Sequence, residues 1–192
     1  LEPSEQQLLR ARCVQRFSVG SSMKTNLARR QSIMELEVIL NHAIQDGAAP
    51  DGTDDLGLKH FFTPTDDVYG CSTYARELTI PTGMLVVGKI HKKPHLAFLM
   101  KGTMLVTTEE GDLKRMTAPM SFVVPAGVKR AAYIEEEITI VNVHLTKETE
   151  EANLSKVEEE VISPSYEAMG LEEPDLTGLN NFLSNLDAKI IE

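Results

Sequence analysis

Gly83-Met-Leu-Val-Val-Gly88-Lys-Ile-His91-Lys-Lys-Pro-His95-Leu-Ala-Phe-Leu-Met-Lys-Gly102 opens a stretch that continues through short apolar runs to Asn142-Val-His144. Within it, apolar segments of strand length alternate with Gly, Pro and acidic turns, the pattern of a small antiparallel barrel or sandwich. Three of the chain's five histidines fall inside it, at His91, His95 and His144. Their place within the strands is the first functional question the sequence raises.

Working outward, strands are expected over residues 58–62, 72–80, 84–90, 95–100, 103–108, 113–118, 120–124, 128–134 and 138–144. The breaks are an Asp66-Asp67 turn, Pro81-Thr-Gly83, Gly102, a Glu109-Glu-Gly-Asp112 hairpin tip, Pro119, Pro125-Ala-Gly127, and a turn at Glu135-Glu136-Glu137. So many short strands joined by tight turns predict a mostly β chain, a single antiparallel barrel of jelly-roll type. His60, beside Phe61-Phe62, reads as an ordinary strand residue.

Before the barrel, Arg10, Arg12, Arg16, Lys24, Arg29 and Arg30 outweigh Glu2 and Glu5, so residues 1–31 read as a basic arm. Ser32-Ile-Met-Glu35 has the form of a capping box. Ile33, Leu36, Ile39 or Leu40, Ala43 and Ile44 then repeat at helical spacing until Asp46-Gly47. His42 reads as a residue of that helix surface. Residues 47–57 form a Gly/Ala/Pro/Asp linker whose Asp51, Asp54 and Asp55 lack the spacing of a calcium loop. After the barrel the chain is acidic: Leu154, Val157 and Val161 mark one helix, Pro164 ends it, and Leu179, Phe182, Leu183, Leu186 and Ile190 form the stripe of another. The expected division is 1–57 arm and capped helix, 58–146 barrel, and 147–192 acidic helical extension.

Bulk composition narrows the function classes. The chain has 192 residues, 42% hydrophobic and 25% charged, enough for one core plus arms. Its net charge of -10 argues against general nucleic-acid binding. No apolar run approaches the roughly 20 residues of a membrane helix, and the first residues lack the features of a secretory signal. Cys13 and Cys71 are too few for a disulfide framework, which favours a reducing compartment. No phosphate-binding Gly loop, Gly-x-Ser-x-Gly or His-Glu-x-x-His occurs.

Tyr74-Ala-Arg76, Ile80-Pro-x-Gly83, Gly88-Lys-Ile-His91-Lys92, Lys101-Gly102, Ala118-Pro119, Pro125-Ala-Gly127-x-Lys129-Arg130 and Val143-His144 together resemble the cupin family. The likeness is strongest to the small cupin-like proteins encoded by tailed bacteriophages, and it covers about residues 58–165. It implies a cupin-type barrel. Metal-binding cupins carry two His and one Glu in a first motif and one His in a second. Aligned on Gly102, those ligands fall on Lys89, His91, His95 and Arg130, so one matches in kind. His144, expected on the strand beside His95, can complete a set of His91, His95 and His144 suited to one divalent transition metal: Zn, Fe, Mn or Ni. Lys89, Lys129 and Arg130 suit an anion such as a carboxylate or phosphate instead.

The incomplete ligand set and the two arms place a non-catalytic role first: a structural or assembly protein, in its concrete form a bacteriophage virion component such as a decoration, neck or tail-associated subunit. Residues 1–31 and 177–192 would dock it into a homo-oligomer or onto other virion proteins, in the virion or the host cytoplasm. The alternatives are a metal-dependent oxygenase or isomerase using His91, His95 and His144, and a binding protein for a small anion.

Overall fold

β2 (Ser72–Ile80) shows how the sheet is built: Tyr74 and Ile80 are buried, with Arg76 and Leu78 on the same face, while Ala75 and Glu77 face the other way. The strand pairs antiparallel with β1 (Gly57–Phe62) on one side and with β8 (Arg130–Thr146) on the other. We describe residues 26–109 and 111–190 of a computed structural model, so Cys13 and the first 25 residues of the expected arm lie outside the described residues.

The main sheet runs β1-β2-β8-β5-β6, with β3 (Leu85–Val87) added to β8 and β7 (Met120–Val124) to β5 (His95–Thr108). β6 spans Gly111–Thr117. The two long strands, β5 and β8, each serve two neighbourhoods. The first half of β5 pairs with β7 and its second half with β6. The end of β8 pairs with β2 and its start with β3. Between the halves, the β5–β8 register shifts from Leu99 to Met104, and such bulges bend a sheet. The core lies between the two halves: Ala97, Leu99, Val124, Ile138 and Ile140 come from one, and Met104, Val106 and Ile134 from the other.

Two expected turns are thereby corrected. Gly102 and the three glutamates interrupt register rather than strand, so residues 95–108 and 130–146 are each continuous. A like-charge run reads as a turn, but here each carboxylate has a partner on another strand of the sheet, β5 or β6. Glu135 accepts from Arg115 Nε at 2.7 Å, Glu136 from Thr103 Oγ1 at 2.7 Å, and Glu137 from Lys101 Nζ at 2.7 Å.

Helix α1 (Asn26–Gln45) packs Ile33 and Leu36 on Leu85, Val87 and Ala131, the outer face of β3 and the start of β8. The helix already includes Ser32, whose hydroxyl donates to the Ala28 carbonyl at 3.0 Å, so Ser32 is an internal residue and not the expected cap. Arg30, expected on a solvent-facing arm, is buried within its own chain. Helix α2 (Leu154–Val161) packs Val157 and Val161 around Tyr74. The next two residues, β9 (Ile162–Ser163), pair with β4 (Ile90–His91) in a separate ribbon. Helix α3 (Thr177–Ile190) lies against α1. Among the described residues no helix is long and apolar enough to cross a membrane.

Candidate metal centre

The inward face at one end of the sheet brings together the three histidines. Leu96 faces Val143 across the β5–β8 ladder, and continuing that register puts His95 opposite His144. Tyr74 pairs with His144 from the other side. His91 arrives from a different element. Its strand is held by β9, with His91 opposite Ile162, and its carbonyl accepts the Gly127 N–H at 2.8 Å.

Ring centroids are 4.2 Å apart for His91–His95, 4.3 Å for His95–His144 and 5.1 Å for His91–His144. His95 and His144 are buried and His91 is half-buried. One nitrogen from each ring lies within 4.8 Å of the others. Three nitrogens on one tetrahedral ion at 2.0–2.1 Å sit roughly 3.4 Å apart, a spacing inside the 4.8 Å that bounds this set. Among the described residues no well-aligned hydrogen-bond partner meets His91 Nδ1 or either ring nitrogen of His95, although the Asn142 side chain and the Lys93 backbone lie close enough to His95 to favour its charged form. Buried polar atoms are normally paired, so these nitrogens are the structure's own signal of a missing partner. Neutral imidazoles with free lone pairs fit a divalent transition metal.

The electrostatics keep those lone pairs free. Burial lowers the His91 pKa to about 2, helped by the positive charges of His95, His144, Arg76 and Arg130. Burial also lowers His144 to about 4, with help from His95 and Arg76. His95 is lowered by burial and then by Arg130. The unfolded chain, with imidazoles near 6.5, binds more protons than the native one below that value. The metal-free protein is therefore expected to lose stability as pH falls from about 6.5 towards 4, read as a falling melting temperature. A flat profile over that window contradicts neutral, buried imidazoles.

The remaining expected residues divide. Arg130 is inside, its guanidinium carbon 5.4 Å from the centroid of the Phe122 ring. Lys89 is exposed and bonds Glu158 on α2. Lys129 is buried, but its ammonium reaches Glu37 of α1 at 2.6 Å. Lys89→Ala is expected to change the unfolding free energy by less than about 1 kcal/mol, as exposed ion pairs do, checked by urea denaturation.

Four residues without an expected role at the site complete the surroundings. The Tyr74 ring stacks on His144 at 6.2 Å, and its hydroxyl meets His60 Nδ1 at 2.7 Å. His60 thus stands one residue behind the cluster. Asn142 is buried on the inward face, and Arg76 is its partner across the β2–β8 ladder. The signal was in the sequence: Arg76 has the same parity as Tyr74, Leu78 and Ile80, a charge on the core face of a strand.

Comparison with known proteins gives no family model that matches the sequence and no curated protein that matches it. Solved structures do match. Ectoine synthase from P. lautus has 14% identity and a TM-score of 0.41, covering 54% of this chain and 72% of that one. An RmlC-like cupin family protein with a double-stranded β-helix fold from Methanocaldococcus jannaschii has 13% identity and a TM-score of 0.37, covering 47% and 82%. An acetylacetone dioxygenase from Acinetobacter johnsonii has 18% identity and a TM-score of 0.36, covering 47% and 59%.

Proposed function

We propose that this chain is a cupin-type jelly-roll barrel that holds one divalent transition metal on His91, His95 and His144. The observation carrying this reading is the cluster of three imidazoles from two long strands and one short ribbon, with His91 Nδ1 and both His95 nitrogens buried and unpartnered among the described residues. Three imidazoles leave at least one coordination position open, and a metal held this way acts as a Lewis acid toward a coordinated oxygen. The chain's residues supply the rest: neutral rings, a Tyr74 face that fixes the His144 plane, and a β9 clamp on the His91 strand. The test is metal analysis of protein purified from medium supplemented with Zn, Fe, Mn and Ni. One metal per chain is expected, falling at least tenfold in His91→Ala and His144→Ala. Wild-type protein that stays metal-free and takes up none of these ions contradicts the reading.

A second reading, an assembly subunit of the bacteriophage virion type, draws on the opposite face of the sheet. Val123, Leu96, Val143, Ala75 and Phe61 form one cross-strand row over β7, β5, β8, β2 and β1. Val123, Leu96 and Phe61 are exposed, as is the adjacent Leu145. In this reading the face meets a second copy of the chain, and the segments 1–31 and 177–192 strengthen the contact. It predicts a dimer or larger species by sedimentation, reduced to monomer in Leu96→Glu with Val123→Glu. A wild-type monomer at high concentration contradicts it.

A further inference from the structure

Five strands carry one row of side chains two residues along from His95 and His144. Phe122, Ala97, Asn142, Arg76 and His60 are successive partners across β7, β5, β8, β2 and β1, on the same face as His95 and His144. Two guanidiniums belong to this place, Arg130 over Phe122 at one end of the row and Arg76 within the row next to Asn142. The row positions between Phe122 and Arg76 are the small Ala97 and the amide-bearing Asn142.

Neither cation has a carboxylate of its own among the described residues. Arg76 Nε is buried without a hydrogen-bond partner. The charge of Arg76 reaches Glu158, but that carboxylate is bonded to Lys89. Burial lowers the Arg130 pKa to about 10, and no acidic group acts to offset it. A charge drawn out of water is tolerated when it is paired and hydrogen-bonded, so two half-buried guanidiniums, one with its Nε buried and unpartnered, mark a place for an anion. The metal site sharpens the need. A divalent ion on three neutral imidazoles beside two guanidiniums concentrates positive charge with no acidic ligand to balance it.

From this we infer that the site binds a small organic carboxylate, one oxygen facing the metal position and the carboxylate held between Arg76 and Arg130. The guanidinium fork matches a planar carboxylate in two parallel hydrogen bonds, and Asn142 offers a further polar contact. The coordinated oxygen rests on the metal-site reading above; the guanidinium contacts stand without it. The anion resolves the apparent conflict of a cation site lined with arginines, because the carboxylate attracts the metal and both guanidiniums and so offsets their mutual repulsion. Their binding is then mutually reinforcing, and linkage requires the two enhancements to be equal.

The test is calorimetric titration of malonate into metal-free and Co(II)-loaded protein, with inorganic phosphate and neutral malonamide in parallel. Malonate is expected to bind both forms, more tightly with Co(II), and to tighten Co(II) binding by the same factor; malonamide is expected to bind neither. Arg76→Gln and Arg130→Gln are each expected to weaken malonate at least tenfold in the metal-free form, with native circular dichroism as the check on folding. Should Arg76→Gln misfold, Arg76→Lys keeps the charge but loses the fork, and intermediate weakening is expected. Failure to load Co(II) sinks the metal-site reading, while the metal-free titration still decides the guanidinium site. The inferred carboxylate site is overturned by a folded Arg76→Gln or Arg130→Gln variant that binds malonate like wild type, by no malonate binding to the metal-free form, or by phosphate binding more tightly than malonate.

Discussion

Replacing Glu109 with alanine is expected to lower the unfolding free energy by about 3–5 kcal/mol. Glu109 is buried at the end of β5, where four parts of the chain meet. One carboxylate oxygen accepts from Arg30 Nε of α1 at 2.7 Å. The other accepts from the Tyr166 hydroxyl and the Lys129 backbone N–H, each at 2.8 Å. Arg30 also donates to the Glu172 carbonyl at 2.6 Å, and its guanidinium carbon lies 4.2 Å from the centroid of the fully buried Tyr166 ring. Removing the carboxylate strands a buried guanidinium and two donors, and an uncompensated buried charge is what makes such truncations costly. The pair itself need not be stabilising relative to apolar groups. The double replacement Arg30→Met with Glu109→Leu is therefore expected to recover much of the loss. Urea denaturation reads both; a single-variant loss below about 1 kcal/mol contradicts the buried network.

Gly102→Ala is expected to be nearly as damaging, at about 3 kcal/mol or more. Gly102 has φ +80°, a backbone conformation that disfavours a side chain, and a Cβ there would overlap the Glu137 carbonyl oxygen. The obstacle is backbone, so no rotamer change relieves it. The contact sits in the bend shared by β5 and β8, the two strands that carry His95 and His144. Relief by shifting the register moves those imidazoles apart, so this variant is expected to lose metal affinity together with stability. Full stability in Gly102→Ala contradicts the tight bend.

Much of this was legible locally and some of it was not. The strands and their alternation follow from period-2 patterning, and the jelly-roll arrangement expected for the barrel is what puts the His144 strand beside that of His95. The third histidine follows less directly. His91 is positioned by a two-residue strand from beyond α2, a pairing between residues 90–91 and 162–163 that leaves no periodic trace. The acidic extension therefore looked like an arm, whereas its start clamps the candidate site and its Tyr166 closes the Glu109 network. Glu109 itself resembled a hairpin tip because its partners Arg30, Lys129 and Tyr166 are remote in sequence. Lys89 and Lys129 matched an anion site by residue type, yet each is bonded to a glutamate on a helix, Glu158 and Glu37. Arg76 lay within a quoted motif without a role, and only the strand pairing puts it in the row two residues along from His144.

The central claim is that His91, His95 and His144 hold one metal ion, and X-ray absorption at the metal edge of the Co(II)- or Zn-loaded protein tests it most directly. Three imidazole nitrogens at about 2.0–2.1 Å are predicted, falling to two in His144→Ala. A shell of oxygen ligands alone, or a spectrum unchanged by that substitution, places the metal elsewhere and contradicts the account.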